Sequence, residues 1–191
     1  MVLSKPDLTR YLTEGRLVLD RPIESETRVD QVSIDLRLGR KFSYFRREIP
    51  SYISAIHVDP TLWSSVDLWE HTEQDVFRLA PGQFVLAQTM ERVKIPNDVV
   101  GLVEGRSSYA RVGVTVHVTA PKIDPGFDAQ ITLEMANFGS IPVDLRAGID
   151  RPAQLLLLRL TTRLGDEDLY GRSPGDVFQG QTAPIPRTRR A

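Results

Sequence analysis

Turn-forming residues punctuate this chain roughly every ten positions, and between them the apolar residues recur at every second position. Residues 32–38 (VSIDLRL) set the pattern, with Gly39 as the stop and residues 41–46 as a hairpin partner. Further strands are predicted over residues 76–79, 84–89, 93–95, 99–104, 115–118, 130–137, 143–145 and 154–160. Pro81-Gly82, Pro96-Asn97-Asp98, Pro142 and Gly148 fall at the turns between them. One helix stands apart, over residues 5–14. Ser4 is its N-cap, Pro6 and Asp7 lie in its first turn, Leu8, Tyr11 and Leu12 share one face, and Gly15 stops it. Many short strands with a single helix near the start predict an all-β barrel or double-sheet fold.

No internal repeat or linker divides the chain, so residues 1–191 read as one domain. Residues 49–75 are weakly periodic and hold Trp63, Trp69, His57 and His71; they read as an excursion of loop and short elements. From Gly165 the composition shifts to Gly, Pro, Asp, Arg and Gln and ends in Arg187-Thr188-Arg189-Arg190. That tail, residues 165–191, has two readings: a disordered end, or a mobile segment that orders over a ligand.

Charge excludes a general polyanion binder, because 24 Lys and Arg face 25 Asp and Glu. A pocket for one small anion stays open. No apolar run approaches the roughly 18 residues of a spanning helix, and the residues after Met1 lack a signal-peptide core. A cytoplasmic protein, with neither membrane nor nucleic acid as partner, is the expectation. Cysteine is absent, which removes the His/Cys signature of zinc nucleobase deaminases. His57, His71 and His117 do not stand three or four residues apart, so no zinc is expected.

Polar chemistry concentrates between Gly105 and Asn137. Gly105-Arg106-Ser107-Ser108 follows an apolar strand and precedes Tyr109-Ala110-Arg111, which could begin a short helix. Backbone amides and hydroxyls at such a turn, with a forked guanidinium, suit phosphate; a helix cap with a solvated Arg is the alternative. Asp124 lies in the turn Ile123-Asp124-Pro125-Gly126-Phe127 and either caps that turn or accepts from a sugar hydroxyl. Gln130, Thr132, Glu134 and Ala136 share one strand face, opposite Ile131, Leu133 and Met135. Glu134 either points to solvent or lies in a pocket. In a closed pocket, desolvation raises its pKa toward neutrality while Arg111 opposes the shift.

Over nearly its whole length the chain resembles the deoxycytidine triphosphate deaminase branch of the dUTPase-like family. The resemblance rests on VSIDLRLG, PGQFVLAQTMERVKIPNDVVGLVEGRSSYARVG, IDPGF and LYGRSPGDVFQGQ. It implies a homotrimer of distorted β-barrels of jelly-roll type, active sites at subunit interfaces, and a C-terminal segment that closes over dCTP. Mg2+ would arrive on the triphosphate, no metal would act in the deamination itself, and dTTP is a possible inhibitor. By the same resemblance Glu134 is the catalytic carboxylate, with Ser107 and Arg111 positioning water and stabilising the tetrahedral intermediate. Arg106 and Ser108 would contact phosphate, Asp124 the 3′-hydroxyl, backbone groups at Thr119 and Ala120 the base, and Tyr170 and Gln181 the nucleotide from the closing tail.

Departures from the family pattern are local. Pro121-Lys122 replaces the His-Arg of single-activity members and the Gly-apolar pair of members that also hydrolyse the triphosphate. Val177-Phe178 replaces Lys-Tyr, removing a cation expected at the phosphates; Lys122 or Arg172 are the substitutes. Ala183-Pro184 stands where Gly-Pro is usual, and Phe127 where dUTPases carry Tyr. Whether such a chain releases dUTP, releases dUMP and pyrophosphate, or only senses nucleotide is left open by these positions.

Overall fold

The computed structural model describes residues 1–20, 27–46, 48 and 68–185. Helix α1 spans Lys5–Thr13. The Ser4 hydroxyl donates to the Asp7 carboxylate at 2.9 Å, Leu8, Tyr11 and Leu12 face the core, and Gly15 leaves the helix at φ +66°. No helix among the described residues is long and apolar enough to cross a membrane.

Thirteen strands follow among the described residues: β1 Val18–Leu19, β2 Arg28–Val29, β3 Ser33–Leu36, β4 Lys41–Phe45, β5 Trp69–Glu73, β6 Val76–Leu79, β7 Phe84–Lys94, β8 Val99–Gly105, β9 Val114–Thr115, β10 Lys122–Ile123, β11 Asp128–Asn137, β12 Val143–Arg146 and β13 Ala153–Arg159. A single helical turn, α2, Ser107–Ala110, sits between β8 and β9. The first sheet runs β5-β4-β7-β11-β9, with β1 also on β7; the second runs β10-β8-β13-β3-β2; β12 and β6 form a ribbon. All of these pairings are antiparallel. The core lies between the two large sheets. Ile131, Leu133 and Met135 of β11 enter it from one side, and Ile34, Leu36, Val103, Leu155 and Leu157 from the other.

The all-β expectation holds, as two packed sheets and a ribbon that no strand pairing closes into a barrel among the described residues. Several boundaries differ. Residues 84–89 and 93–95 were expected as two separate strands. Instead β7 runs unbroken for 11 residues, and the irregularity is a bulge against β11 between Gln130 and Thr132. Buried Glu91 is satisfied by Arg37, through Nε at 2.7 Å and the backbone N–H at 2.9 Å. Thr89 Oγ1 accepts from Ile131 N–H at 3.0 Å and donates to the Glu91 carbonyl at 2.7 Å, bridging the two strands at the bulge.

The weakly periodic stretch ends in a full strand, β5, because Trp69 packs on Phe45 across the hairpin with ring centroids 4.2 Å apart. His57, Trp63 and the rest of residues 49–67 lie outside the described residues, as does the Arg187–Arg190 run. The strand expected over 115–118 stops at Thr115, whose hydroxyl donates to the His117 carbonyl at 2.7 Å and turns the chain.

Residues 165–185 of the tail are docked on the body. Tyr170 N–H donates to the Pro125 carbonyl at 2.9 Å, and its ring packs on Phe127. Gly180 N–H reaches the Asp128 carbonyl at 3.2 Å, and Gln130 N–H the Gln181 carbonyl at 3.3 Å. Ile185 ends the run inside a second apolar cluster with Leu68, Trp69 and Leu86.

Candidate active site

Strand β11 carries the central carboxylate. Its alternation buries Ile131, Leu133 and Met135 and turns Gln130, Thr132 and Glu134 to the opposite face, as period two requires. Glu134 is half-buried, and its Oε2 accepts from the Val118 N–H at 3.0 Å. The turn after β9 supplies that amide, so Thr115 indirectly sets the carboxylate's position. No cation pairs with Glu134 among the described residues, which leaves its other oxygen available. Within one chain it is not enclosed.

Helix α2 brings the serines and Arg111 to the same end of the sheet. It packs on β9, which pairs with β11 at Ala136 and Asn137. Tyr109 anchors it against the core, and burial pushes that phenol's pKa up, with Asp150 adding to the effect. The following turn needs a glycine: Gly113 has φ +88°, and a Cβ there would lie 2.3 Å from the Gly139 nitrogen. Ser107, Ser108 and Arg111 are exposed, and their side chains make no hydrogen bond or ion pair among the described residues. The Tyr109 and Ala110 amides both donate to the Arg106 carbonyl, at 3.0 and 3.1 Å, which leaves the Ser107 and Ser108 amides without an intrahelical acceptor. None of these groups bonds to Glu134 within the chain.

Arg106 behaves differently from its neighbours. Its Nη1 lies 3.3 Å from Oδ2 of Asp35 on β3, whose side chain is 1% exposed, and it donates to the Arg151 carbonyl at 3.4 Å. Arg28 Nε lies 3.6 Å from the same oxygen. Burial raises the Asp35 pKa, against the pull of Arg106 and Arg28. Ser33 and Asp35 are polar positions in the alternation of residues 32–38. They are buried, and only the arginines around Asp35 hint at it in the sequence.

A second group of predicted residues gathers where β11 begins. Asp124 accepts from Lys122 Nζ at 2.8 Å, both side chains being at least one third exposed, and its carbonyl accepts from Phe127 N–H in the turn. Asp124, Pro125, Leu169, Tyr170 and Arg172 line a cavity of about 360 Å³. Tyr170 Oη accepts from Phe178 N–H at 3.2 Å, and burial raises its pKa. Gln181 Nε2 donates to the Gln130 carbonyl at 2.9 Å and to Thr132 Oγ1 at 3.1 Å, so the tail lies on the face that carries Glu134. Gln181 Oε1 is buried without a hydrogen-bond partner. Thr119 and Ala120 form an exposed bend next to Val118. Sequence reasoning missed the Val118 amide, Gln130, Thr132 and Asp35. A backbone donor leaves no mark in a sequence, and the other three read as ordinary strand residues.

No group of three or more His, Cys, Asp or Glu able to hold a metal ion occurs among the described residues. The arrangement therefore offers one carboxylate held by an amide, a row of unpartnered donors, and a sugar-sized cavity with an acid at its edge.

Known proteins resemble this chain in sequence and in fold. The chain is 42% identical over 190 residues to the "dCTP deaminase, dUMP-forming" of Methanosphaera stadtmanae, covering 96% of this chain and 91% of that protein. It is 44% identical over 188 residues to the "dCTP deaminase" of Natronomonas pharaonis, covering 96% and 92%. The 2'-deoxycytidine 5'-triphosphate deaminase of Agrobacterium tumefaciens shares the fold at a TM-score of 0.63 and 20% identity, over 87% of this chain and half of that one. The dCTP deaminase-like family model matches residues 2–160, and the chain belongs to that family.

Proposed function

We propose that this protein deaminates the cytosine base of dCTP by hydrolysis, giving dUTP and ammonia. One observation carries the reading: Glu134 stands on the outward face of β11, half-buried, with one oxygen fixed by an amide and no cation neutralising it. In the reaction Glu134 takes a proton from water as the water oxygen bonds to C4. The proton passes to N3. The tetrahedral intermediate then collapses as the C4–N4 bond breaks, and the amino group leaves as ammonia after a further proton transfer through Glu134. Ser107 and Arg111 orient the water and stabilise the charge that develops on oxygen. This step uses no metal; Mg2+ enters with the triphosphate as part of the substrate.

Arg106 and Ser108 bind phosphate, Asp124 the 3′-hydroxyl, the bend at Thr119 and Ala120 the base, and Tyr170 and Gln181 close the site. Lys122 lies on Asp124 rather than among the phosphate donors, so sugar binding must displace or share it. Ser107 and Arg111 have no bond to Glu134 in one chain, which supports sites completed between copies of a homotrimer. The tail, residues 165–191, is the closing segment.

A second reading is favoured by relatives named dUMP-forming, in which the same site also releases pyrophosphate. One assay decides. The purified protein is incubated with dCTP, Mg2+ and a zinc chelator, and nucleotides are resolved over time. Accumulating dUTP supports simple deamination, dUMP with pyrophosphate supports the second reading, and no uracil nucleotide refutes both.

A further inference from the structure

Arg106 is gripped at one corner only. Nη1 faces Asp35 and the Arg151 carbonyl, whereas Nε and Nη2, the edge suited to a bidentate phosphate contact, make no hydrogen bond or ion pair among the described residues. Ser107 and Ser108 follow Arg106 in the chain, and their hydroxyls are also unpartnered among the described residues. Asp35 Oδ2 is buried and has no hydrogen-bond partner of its own, so the guanidiniums beside it are what compensate its charge.

The backbone of the same turn is braced from the same sheet. Asp35, Gln154 and Glu104 stand opposite one another across β3, β13 and β8. Ser33 Oγ donates to Gln154 Oε1 at 3.1 Å, Gln154 Nε2 donates to the Gly105 carbonyl at 3.2 Å, and Arg106 N–H donates to the Pro152 carbonyl at 2.9 Å. Main chain and side chain of Arg106 are thus fixed from within, and the free edge is fixed with them.

We propose that Asp35 is a positioning residue, holding Arg106 so that its open edge meets the nucleotide phosphates. This rests on the dCTP reading of the site. Two effects of Asp35 oppose each other: it orients the guanidinium, and it offsets its charge. Orientation dominates here, because Asp35 lies behind Arg106 and the phosphate would bind at the far edge, where a misaligned fork forfeits charge-assisted bonds.

The test uses calorimetry in the Glu134→Gln background, which keeps dCTP intact. Asp35→Asn preserves shape and removes the charge. It is expected to weaken Mg-dCTP binding about tenfold, the order of one charge-assisted hydrogen bond, and to leave 2′-deoxycytidine binding unchanged. A merely structural role would weaken both ligands together. In an Arg106→Gln background, Asp35→Asn should have no further effect, since it acts through that arginine. With Glu134 restored, the effect should fall on KM rather than kcat. Unchanged or tighter Mg-dCTP binding, parallel loss of 2′-deoxycytidine, or additivity with Arg106→Gln overturns the proposal. Should Asp35→Asn not fold, Gln154→Met, which unbraces Gly105, is read by the same ligand pair and must show the same selective loss. A wild type without turnover refutes the proposed function, while these binding ratios still decide the role of Asp35.

Discussion

Ile185 holds the far end of the docked tail, and its removal should free the tail without unfolding the body. The side chain is 6% exposed in a cluster with Leu68, Trp69 and Leu86, apart from the main core. Ile185→Ala removes three buried carbons, or about 2.4 kcal/mol at roughly 0.8 kcal/mol each. A surface cluster can collapse around the gap, so little cavity cost is added. That energy corresponds to an increase of about fiftyfold in the open fraction of the tail. The Gly180 and Gln130 amides, which donate across the junction between tail and strand, report it by hydrogen exchange. Exchange at Gly180 should accelerate up to about fiftyfold, with the melting temperature of the body little changed. Leu133→Ala, at a fully buried core position, should do the reverse and cost about 3–5 kcal/mol globally. Unchanged Gly180 protection in Ile185→Ala, with a melting temperature lowered as far as by Leu133→Ala, would refute the separation of tail and core.

Glu91→Gln should cost about 3–5 kcal/mol in urea unfolding, because it removes the carboxylate charge facing the Arg37 guanidinium where both side chains are 6% exposed; a loss under about 1 kcal/mol would contradict the buried pair. Burial pushes the Asp98 carboxyl up, but hydrogen bonds from Tyr11 at 2.6 Å and from Arg16 outweigh it and leave the pKa lowered. A lowered folded pKa contributes stability that is full above the ordinary carboxylate range and fades as pH falls through the depressed value. The stability gap between wild type and Asp98→Asn should accordingly hold near pH 7 and shrink below about pH 4; a gap that widens in acid would reverse the assignment. Gly126 has φ +91°, and a Cβ there would lie 2.7 Å from Leu169 Cβ and 2.9 Å from the Tyr170 nitrogen. Gly126→Ala should destabilise by more than about 1 kcal/mol and expose the Tyr170 amide to exchange; retained protection would count against the close contact.

Strand periodicity made β11 and its two faces legible before any coordinates, because unbroken alternation from Asp128 to Met135 leaves little choice of orientation. The helix was equally plain from Ser4, Asp7 and Gly15. Shorter elements were not: β1, β2, β9 and β10 have two residues each, too few for a period, and all but β2 exist through partners distant in sequence. The bulge in β7 hid because a charged residue, Glu91, is buried by an arginine 54 positions away. Of the site, Glu134, Ser107 and Arg111 could be named from the chain. That Arg106 is tethered, that Lys122 lies on Asp124, and that Val118 supplies an amide depend on register and loop closure, which local pattern does not encode.

In the proposed reaction one acid, Glu134, is the proton carrier on an open strand face. Glu134→Gln keeps the shape and the Val118 contact and removes the base. Wild type and variant should bind Mg-dCTP with similar affinity, while uracil nucleotide formation falls at least about a hundredfold in the variant. A variant that still deaminates at the wild-type rate would contradict the assignment of Glu134 and the mechanism built on it.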